Sequence, residues 1–198
     1  MAAIVLASSS PARQAMLRQA GLDVEIEPAA VDEAELKASF RAAGAAAAEV
    51  AEALAELKAQ RISRRRAGAL VVGADQMLQC GSVWFDKPPD RAHARAQLIA
   101  LRGRTHDLVS SVVTVRDGGR LWHHTDRARL TVRDFTDAFL DSYLDRVGEA
   151  ALTSVGGYQL EGPGAQLFAR VEGDYFTVLG LPLLPLLEHL RLQGLLDS

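Results

Sequence analysis

The sequence predicts an α/β fold built on a mixed sheet. Two observations carry that prediction. Short apolar runs alternate with segments of helical periodicity along the whole chain, the pattern of strands crossing over through helices. One pair of long alternating segments flanks Asp117-Gly118-Gly119, a hairpin signal that adds antiparallel strands to the sheet.

The elements follow in order. Residues 3–7 (AIVLA) form a continuous apolar run and read as a buried strand. Ser10 then Pro11 mark a helix start, with serine as the N-cap and proline at the first helical position. That helix ends at Gly21, a residue suited to the left-handed conformation past a helix C-terminus. Residues 24–27 (VEIE) alternate as a strand closed by Pro28. Asp32 and Glu33 open a helix to about Ala43, and after Gly44 a second runs from about Ala45 to Arg65. Val50, Leu54 and Leu57 recur on its face at helical spacing. Residues 69–78 (ALVVGADQML) read as a central strand, followed by a Gly81-Ser82 turn and the short return VWF. A helix spans about Asp90 to Leu101, and the hairpin strands cover 105–116 and 120–133. Thr136 caps a helix over 136–147. Glycines at 156, 157, 162 and 164 mark a loop-rich stretch before the strand LFARV, and a last helix begins near Leu181-Pro182. No repeat or linker divides the chain, so residues 1–198 are expected to form one domain.

Composition narrows the function. Acidic residues outnumber basic ones 25 to 22, for a net charge of −3, whereas a nucleic-acid polymer is bound mainly through basic excess. A DNA or RNA partner is therefore not expected. The single cysteine, Cys80, excludes an internal disulfide and fits a reducing compartment. No apolar stretch is long enough for a membrane span, and the first residues lack the features of a signal segment, so a soluble cytoplasmic protein is expected. The basic residues comprise 19 Arg and only three Lys, at 37, 58 and 87.

Neither GxxxxGK[ST] nor GxGxxG occurs, which removes the familiar phosphate-loop and dinucleotide motifs. His123 and His124 fall in a strand, where neighbours point to opposite faces. Four places offer chemistry. SSSPAR (8–13) puts hydroxyls, a helix N-terminus and Arg13 where an anion would be favoured. Asp75 follows an apolar run and is expected at the C-terminal end of a central strand, where α/β proteins place ligands. Lys58 and Lys87 suit a polyphosphate as flexible point charges. Asp32, Glu33 and Glu161 are isolated carboxylates in loop-like settings. Each place also has an ordinary reading as a cap, a turn or a solvated surface charge.

Their order is more specific than any one of them. LASSSPARQAML, VDE, LAELKA, VGADQ, DKP, GGYQLEG and VEGDYFTVLGLPL occur in the order found in the Maf family of nucleotide pyrophosphatases, which the chain resembles from about residue 4 to residue 190. The resemblance implies a long mixed sheet flanked by helices, with two lobes around an active-site cleft. It implies hydrolysis of a nucleoside triphosphate to monophosphate and pyrophosphate, a divalent metal (Mg²⁺ or Mn²⁺), a homodimer, and a housecleaning role on modified nucleotides. Residue by residue it makes Asp75 the general base or metal-organising aspartate and Arg13, Lys58 and Lys87 the phosphate-side cations. Ser10 matches the helix-start serine, and Glu33 the other motif carboxylate, expected with Asp75 at the metal. Lys37 is left as an ordinary surface residue.

Specificity rests on four positions. The family's opening SPRR is here Ser10-Pro11-Ala12-Arg13, with Ala12 replacing an arginine. Members acting on dTTP and UTP typically have DT where this chain has Asp75-Gln76, and Gln where it has Glu161. The subgroup associated with 7-methyl-GTP has DQ and EG, as here, but carries Trp at the position of Ala12. Guanine presents two adjacent donors, N1–H and the amine, which a carboxylate accepts as a fork. Glu161 and Gln76 are thus expected at the base, with guanine-type preference. The alternatives are broad or dTTP/UTP specificity, or a nucleotide-binding regulator of cell division without turnover.

Overall fold

The computed structural model describes residues 3–197. Seven strands and seven helices follow one another as β1 (Ile4–Leu6), α1 (Pro11–Gln19), β2 (Val24–Ile26), α2 (Glu33–Ala42), α3 (Ala47–Ser63), β3 (Leu70–Cys80), β4 (Val83–Phe85), α4 (Arg91–Leu101), β5 (Thr105–Arg116), β6 (Gly119–Val132), α5 (Asp137–Val147), β7 (Phe168–Glu172), α6 (Tyr175–Val178) and α7 (Leu183–Leu192). Three short 3₁₀ turns fill the glycine-rich stretch between α5 and β7. The caps are those the sequence dictates. Ser10, Asp32, Asp90 and Thr136 each accept a backbone N–H from the first turn of the helix they precede. Gly21, just past α1, takes a φ of 82°.

The sheet is mixed, in the order β2-β1-β3-β5-β6-β7. β1 runs parallel to β2 and β3, while β3, β5, β6 and β7 pair antiparallel. β3 is the seam between the two halves. On one edge it pairs with β5 from Val71 to Gln79. On the other it pairs with β1 through residues 70–72 and with β4 through residues 78–80. Residues 73–77 therefore have no strand beside them on that edge.

Alternation along β3 sorts its side chains between layers. Val71 and Met77 face α3, packing with Ala55, Ala59 and Ile62 or with Val50 and Leu54. Val72 and Ala74 face the other way, into a cluster with Met16, Leu17 and Leu186. A further core lies at the far end of the sheet, where Leu78, Leu108 and Leu130 meet α4, α5 and the 3₁₀ turns. Gly73 belongs to the α3 face. A Cβ there would stand 2.0 Å from the backbone oxygen of Ala55 and 2.9 Å from the Cβ of Ala59. Glycine at this position lets the helix backbone lie against the strand.

Asp75 corrects one expectation. It sits in the middle of the 11-residue β3, not at its C-terminal end. The apolar run predicts a strand ending near residue 78, but the antiparallel partners β4 and β5 carry pairing on to Cys80 and Gln79. What ends beside Asp75 is β1, whose last contact is Ala7 N–H to Val72 O at 2.8 Å. The ligand-favouring C-terminal edge belongs to the short parallel strand.

His106 is a buried polar group in the far core. One ring nitrogen lies 2.6 Å from the Tyr158 hydroxyl, and Nδ1 has no partner among the described residues. Burial pushes its pKa from 6.5 down to about 4, partly offset by Asp107. A depressed histidine contributes stability in full above its unfolded pKa and loses it as pH falls toward the folded value. Between pH 7 and pH 5 this residue should cost about 2 kcal/mol of unfolding free energy. Urea titrations at both pH values should show a smaller drop in His106→Gln, by about that amount. Equal drops in the two proteins would refute it.

Candidate active site

The gap in the β3 edge opens into a cleft of about 770 Å³, a size suited to a small molecule. Residues 8–13 form one wall, and Glu33, Lys37, Lys58, Asp75, Asp86 and Lys87 line the same end. The glycine-rich stretch lines the other end, and Val178 and Leu179 complete the lining beside Gly180. One end is thus charged, and the other, apolar at Val155, Tyr158 and Leu160, also carries Thr153, Ser154, Gln159 and Glu161.

Arg13 is the most firmly built of these groups. Proline at N1 and the Ser10 cap start α1 directly after β1, which drops Arg13 onto the open edge of β3. Its Nε donates to Gly180 O at 2.7 Å, and Nη1 donates to Ala74 O at 3.1 Å and Ser8 Oγ at 3.3 Å. Three fixed partners define the guanidinium plane and satisfy a carbonyl that the missing strand leaves unpaired. Burial lowers its pKa, with Asp75 and Glu33 opposing. Gly180 has a φ of 97°, which a side chain would adopt only with strain, and a Cβ there would stand 3.3 Å from Arg13 Nη2.

Lys58 comes from α3 and is almost fully buried. Its Nζ lies 2.6 Å from Asp75 Oδ1 and 2.6 Å from Glu33 Oε1, so it bridges strand and helix. Asp75 is 4% exposed, and its Oδ2 is buried with no hydrogen-bond partner among the described residues. An acceptor left in that state carries a desolvation cost that a proton donor or a cation would offset. Burial would raise the Glu33 pKa, but Lys58, Lys37 and Lys87 outweigh it and hold the carboxylate below its usual range. Lys87, in the break after β4, is different. No carboxylate lies within 4 Å of it among the described residues, and burial with Arg13 and Lys58 nearby lowers its pKa. It is a cation without its anion.

The structure thus brings Ser10, Ala12, Arg13, Glu33, Lys58, Asp75, Gln76, Lys87 and Glu161 to one cleft. Lys37 joins them, against its ordinary surface reading. Its Nζ is 2.6 Å from Asp86 Oδ1 and 3.8 Å from Glu33 Oε2. The signal in the sequence was its i, i+4 spacing from Glu33, which places both on one helix face. Asp86 lies 49 residues away along the chain, beyond any local pattern. Gln76 also has an occupation the sequence does not reveal. Its Nε2 donates to Ser110 Oγ at 3.0 Å, Thr177 O at 3.1 Å and Val178 O at 3.0 Å, which ties α6 to β3. Only its oxygen is free for a ligand. Glu161 is exposed at the cleft rim, and Tyr158 is held by His106 beneath the apolar end.

Asp75 and Glu33 are the carboxylates that could hold a cation. Among the described residues there is no cluster of three or more His, Cys, Asp or Glu with metal-site geometry. A hard ion such as Mg²⁺ takes one or two carboxylates and completes its shell with water and substrate phosphates. The unpartnered Oδ2 of Asp75 is the observation that favours it.

No helix among the described residues is long and apolar enough to cross a membrane. A protein of Paramagnetospirillum magneticum named nucleoside triphosphate pyrophosphatase is 62% identical to this chain, covering 96% of it and 98% of the relative. One of the same name from Granulibacter bethesdensis is 58% identical, over 95% of each chain. One from Mesorhizobium japonicum named 7-methyl-GTP pyrophosphatase is 54% identical, over 98% of each. Residues 3–193 match the family described as Maf-like protein, and with relatives this similar along nearly its full length the chain belongs to the Maf family.

Proposed function

We propose that this protein is a nucleoside triphosphate pyrophosphatase that cleaves the α–β anhydride, releases monophosphate and pyrophosphate, and prefers a guanine-type base such as 7-methylguanine. The observation that carries the reading is the convergence of Arg13, Lys58, Lys87 and the half-satisfied Asp75 at one end of a cleft whose other end mixes apolar and polar side chains. The names of the relatives, which include both the general and the 7-methyl-GTP activity, support it.

The chemistry follows from the placement. The polyphosphate lies at the charged end, where Lys87 gains the anion it lacks and Arg13 presents a rigid donor plane. These cations favour the charge that builds on the phosphate oxygens as the bond breaks, and each is worth on the order of 3 kcal/mol by analogy with single oxyanion donors. Asp75 Oδ2 takes a proton from the attacking water as the water oxygen bonds to the α-phosphorus, and the bridging electron pair leaves with pyrophosphate. Lys58 holds Asp75 in the required rotamer through Oδ1. A divalent ion, Mg²⁺ or Mn²⁺, held by Asp75 Oδ2 and Glu33 would replace this direct proton transfer, supplying charge neutralisation and lowering the pKa of bound water. The base lies at the apolar end against Tyr158 and Leu160, with Glu161 accepting the two guanine donors. Cytoplasmic housecleaning of modified nucleotides by a homodimer is the setting this chemistry suits.

The test is chromatography of 7-methyl-GTP, GTP, dTTP and UTP after incubation with the protein and Mg²⁺ or Mn²⁺. Monophosphate and pyrophosphate are the expected products, with 7-methyl-GTP fastest. Glu161→Gln should narrow the gap between 7-methyl-GTP and dTTP by roughly tenfold or more, since an unmatched polar pair is worth a few kcal/mol. Diphosphate and phosphate as products would overturn the reaction. Unchanged nucleotides would favour a binding regulator, and equal rates on 7-methyl-GTP and dTTP would remove the base preference.

A further inference from the structure

We propose that Lys37 and Asp86 are positioning residues, an ion pair that fixes α2 against the β4–α4 segment and thereby sets Glu33 opposite Lys87 across the charged end of the cleft. The inference rests on the pyrophosphatase reading of that cleft and adds a device to it.

No residue of α2 is fully buried; Leu36 and Phe40 pack on the α3 cluster and Glu33 meets Lys58 at 2.6 Å, so its angle against β4 depends on a few further contacts. Near its C-terminal end Phe40 and Trp84 share an apolar cluster, and the Arg41 guanidinium lies 5.0 Å from the Trp84 ring centroid. One turn earlier, Lys37 meets Asp86 at 2.6 Å. Four residues back along a helix cover about 6 Å, and two residues on along an extended strand cover about 6.6 Å. The two contacts therefore match, with α2 running antiparallel to β4 and its continuation. One further turn back is Glu33, and the same ruler brings it level with Lys87 and Pro88, with more than 4 Å between its carboxylate and the Lys87 ammonium. The electrostatics agree, because Glu33 and Lys87 each feel the other's charge. Lys37 is pulled two ways, with burial lowering its pKa and the Asp86 hydrogen bond, Asp75, Asp86 and Glu33 together raising it. It is thus a firmly charged partner.

A direct role for Lys37 on phosphate predicts something different. Asp86 would then compete with substrate, and removing it would strengthen binding. For a latch, both partners matter equally and only through each other.

The experiment measures kcat and KM for nucleoside triphosphate turnover, and inorganic pyrophosphate affinity by calorimetry, in Lys37→Met, Asp86→Asn, the double variant and Lys37→Arg. Each single variant should lose about tenfold in kcat/KM and in pyrophosphate affinity, the double should be no worse than either, and Lys37→Arg should stay within about threefold of wild type. Asp86→Asn at or above wild-type values, multiplying losses in the double, or no loss in Lys37→Met would each overturn the latch. Failure of the wild type to release pyrophosphate would overturn the functional reading instead, and the calorimetry would still judge the latch.

Discussion

Asp75→Asn is expected to lower kcat by at least about 10³-fold while leaving the protein folded, because it removes a general base and a site carboxylate together. Asparagine has the same shape, and its side-chain oxygen can still accept from Lys58 in place of Oδ1. Lys58 also keeps Glu33 at 2.6 Å, so its charge is not stranded. The loss of one carboxylate from this buried group should cost about 1–2 kcal/mol, well short of a fully broken buried pair. For a chain of this size that corresponds to a drop in Tm of roughly 2–8 °C. Turnover followed by pyrophosphate release, with Tm read on the same samples, separates the two effects. Turnover near wild type would take Asp75 out of the mechanism.

Gly73→Ala is expected to damage both stability and activity, and for a single geometric reason. The added methyl would meet the Ala55 carbonyl at 2.0 Å and the Ala59 backbone nitrogen at 2.9 Å. Neither contact is the end of a flexible side chain, so α3 itself must move. Overpacking of this sort costs about 3 kcal/mol or more. The helix that moves also carries Lys58, and a shift on the order of 1 Å in a reacting constellation can cost about 10²-fold in rate. Gly119→Ala is the matched control, since its methyl would meet only the Arg116 oxygen at 3.6 Å. Urea midpoints and kcat should fall in the first variant and stay near wild type in the second. Wild-type behaviour of Gly73→Ala would show that α3 has slack the close packing denies.

Local chemistry explains why so much of the fold was legible. Serine, aspartate and threonine caps, a proline at N1 and the Asp117-Gly118 turn each act within three or four residues, and each predicted a boundary within a residue or two. Lys58 and Asp75 were legible as candidates, but their contact required the crossing of α3 over β3. Gly73 was passed over for the same reason, since nothing within VVGADQ reveals that a helix backbone lies against it. The centre of β3 is not legible locally because β4, across a tight turn, and β5, nearly 30 residues on, extend the strand past residue 78. Lys37 reads as a surface residue because Asp86, the residue that gives it a purpose, is distant in sequence and exposed.

The interrupted edge of β3 has a consequence for solubility. Exposed strand edges invite pairing with other chains, and proteins blunt them with charges, bulges or covers. Here the bare stretch is only five residues, closed at both ends by β1 and β4 and crossed by a buried guanidinium bonded to Ala74 O. A foreign strand of the usual length, about five or six residues, would find no free run of backbone to pair with. The same interruption that opens the cleft thus leaves little edge for another polypeptide.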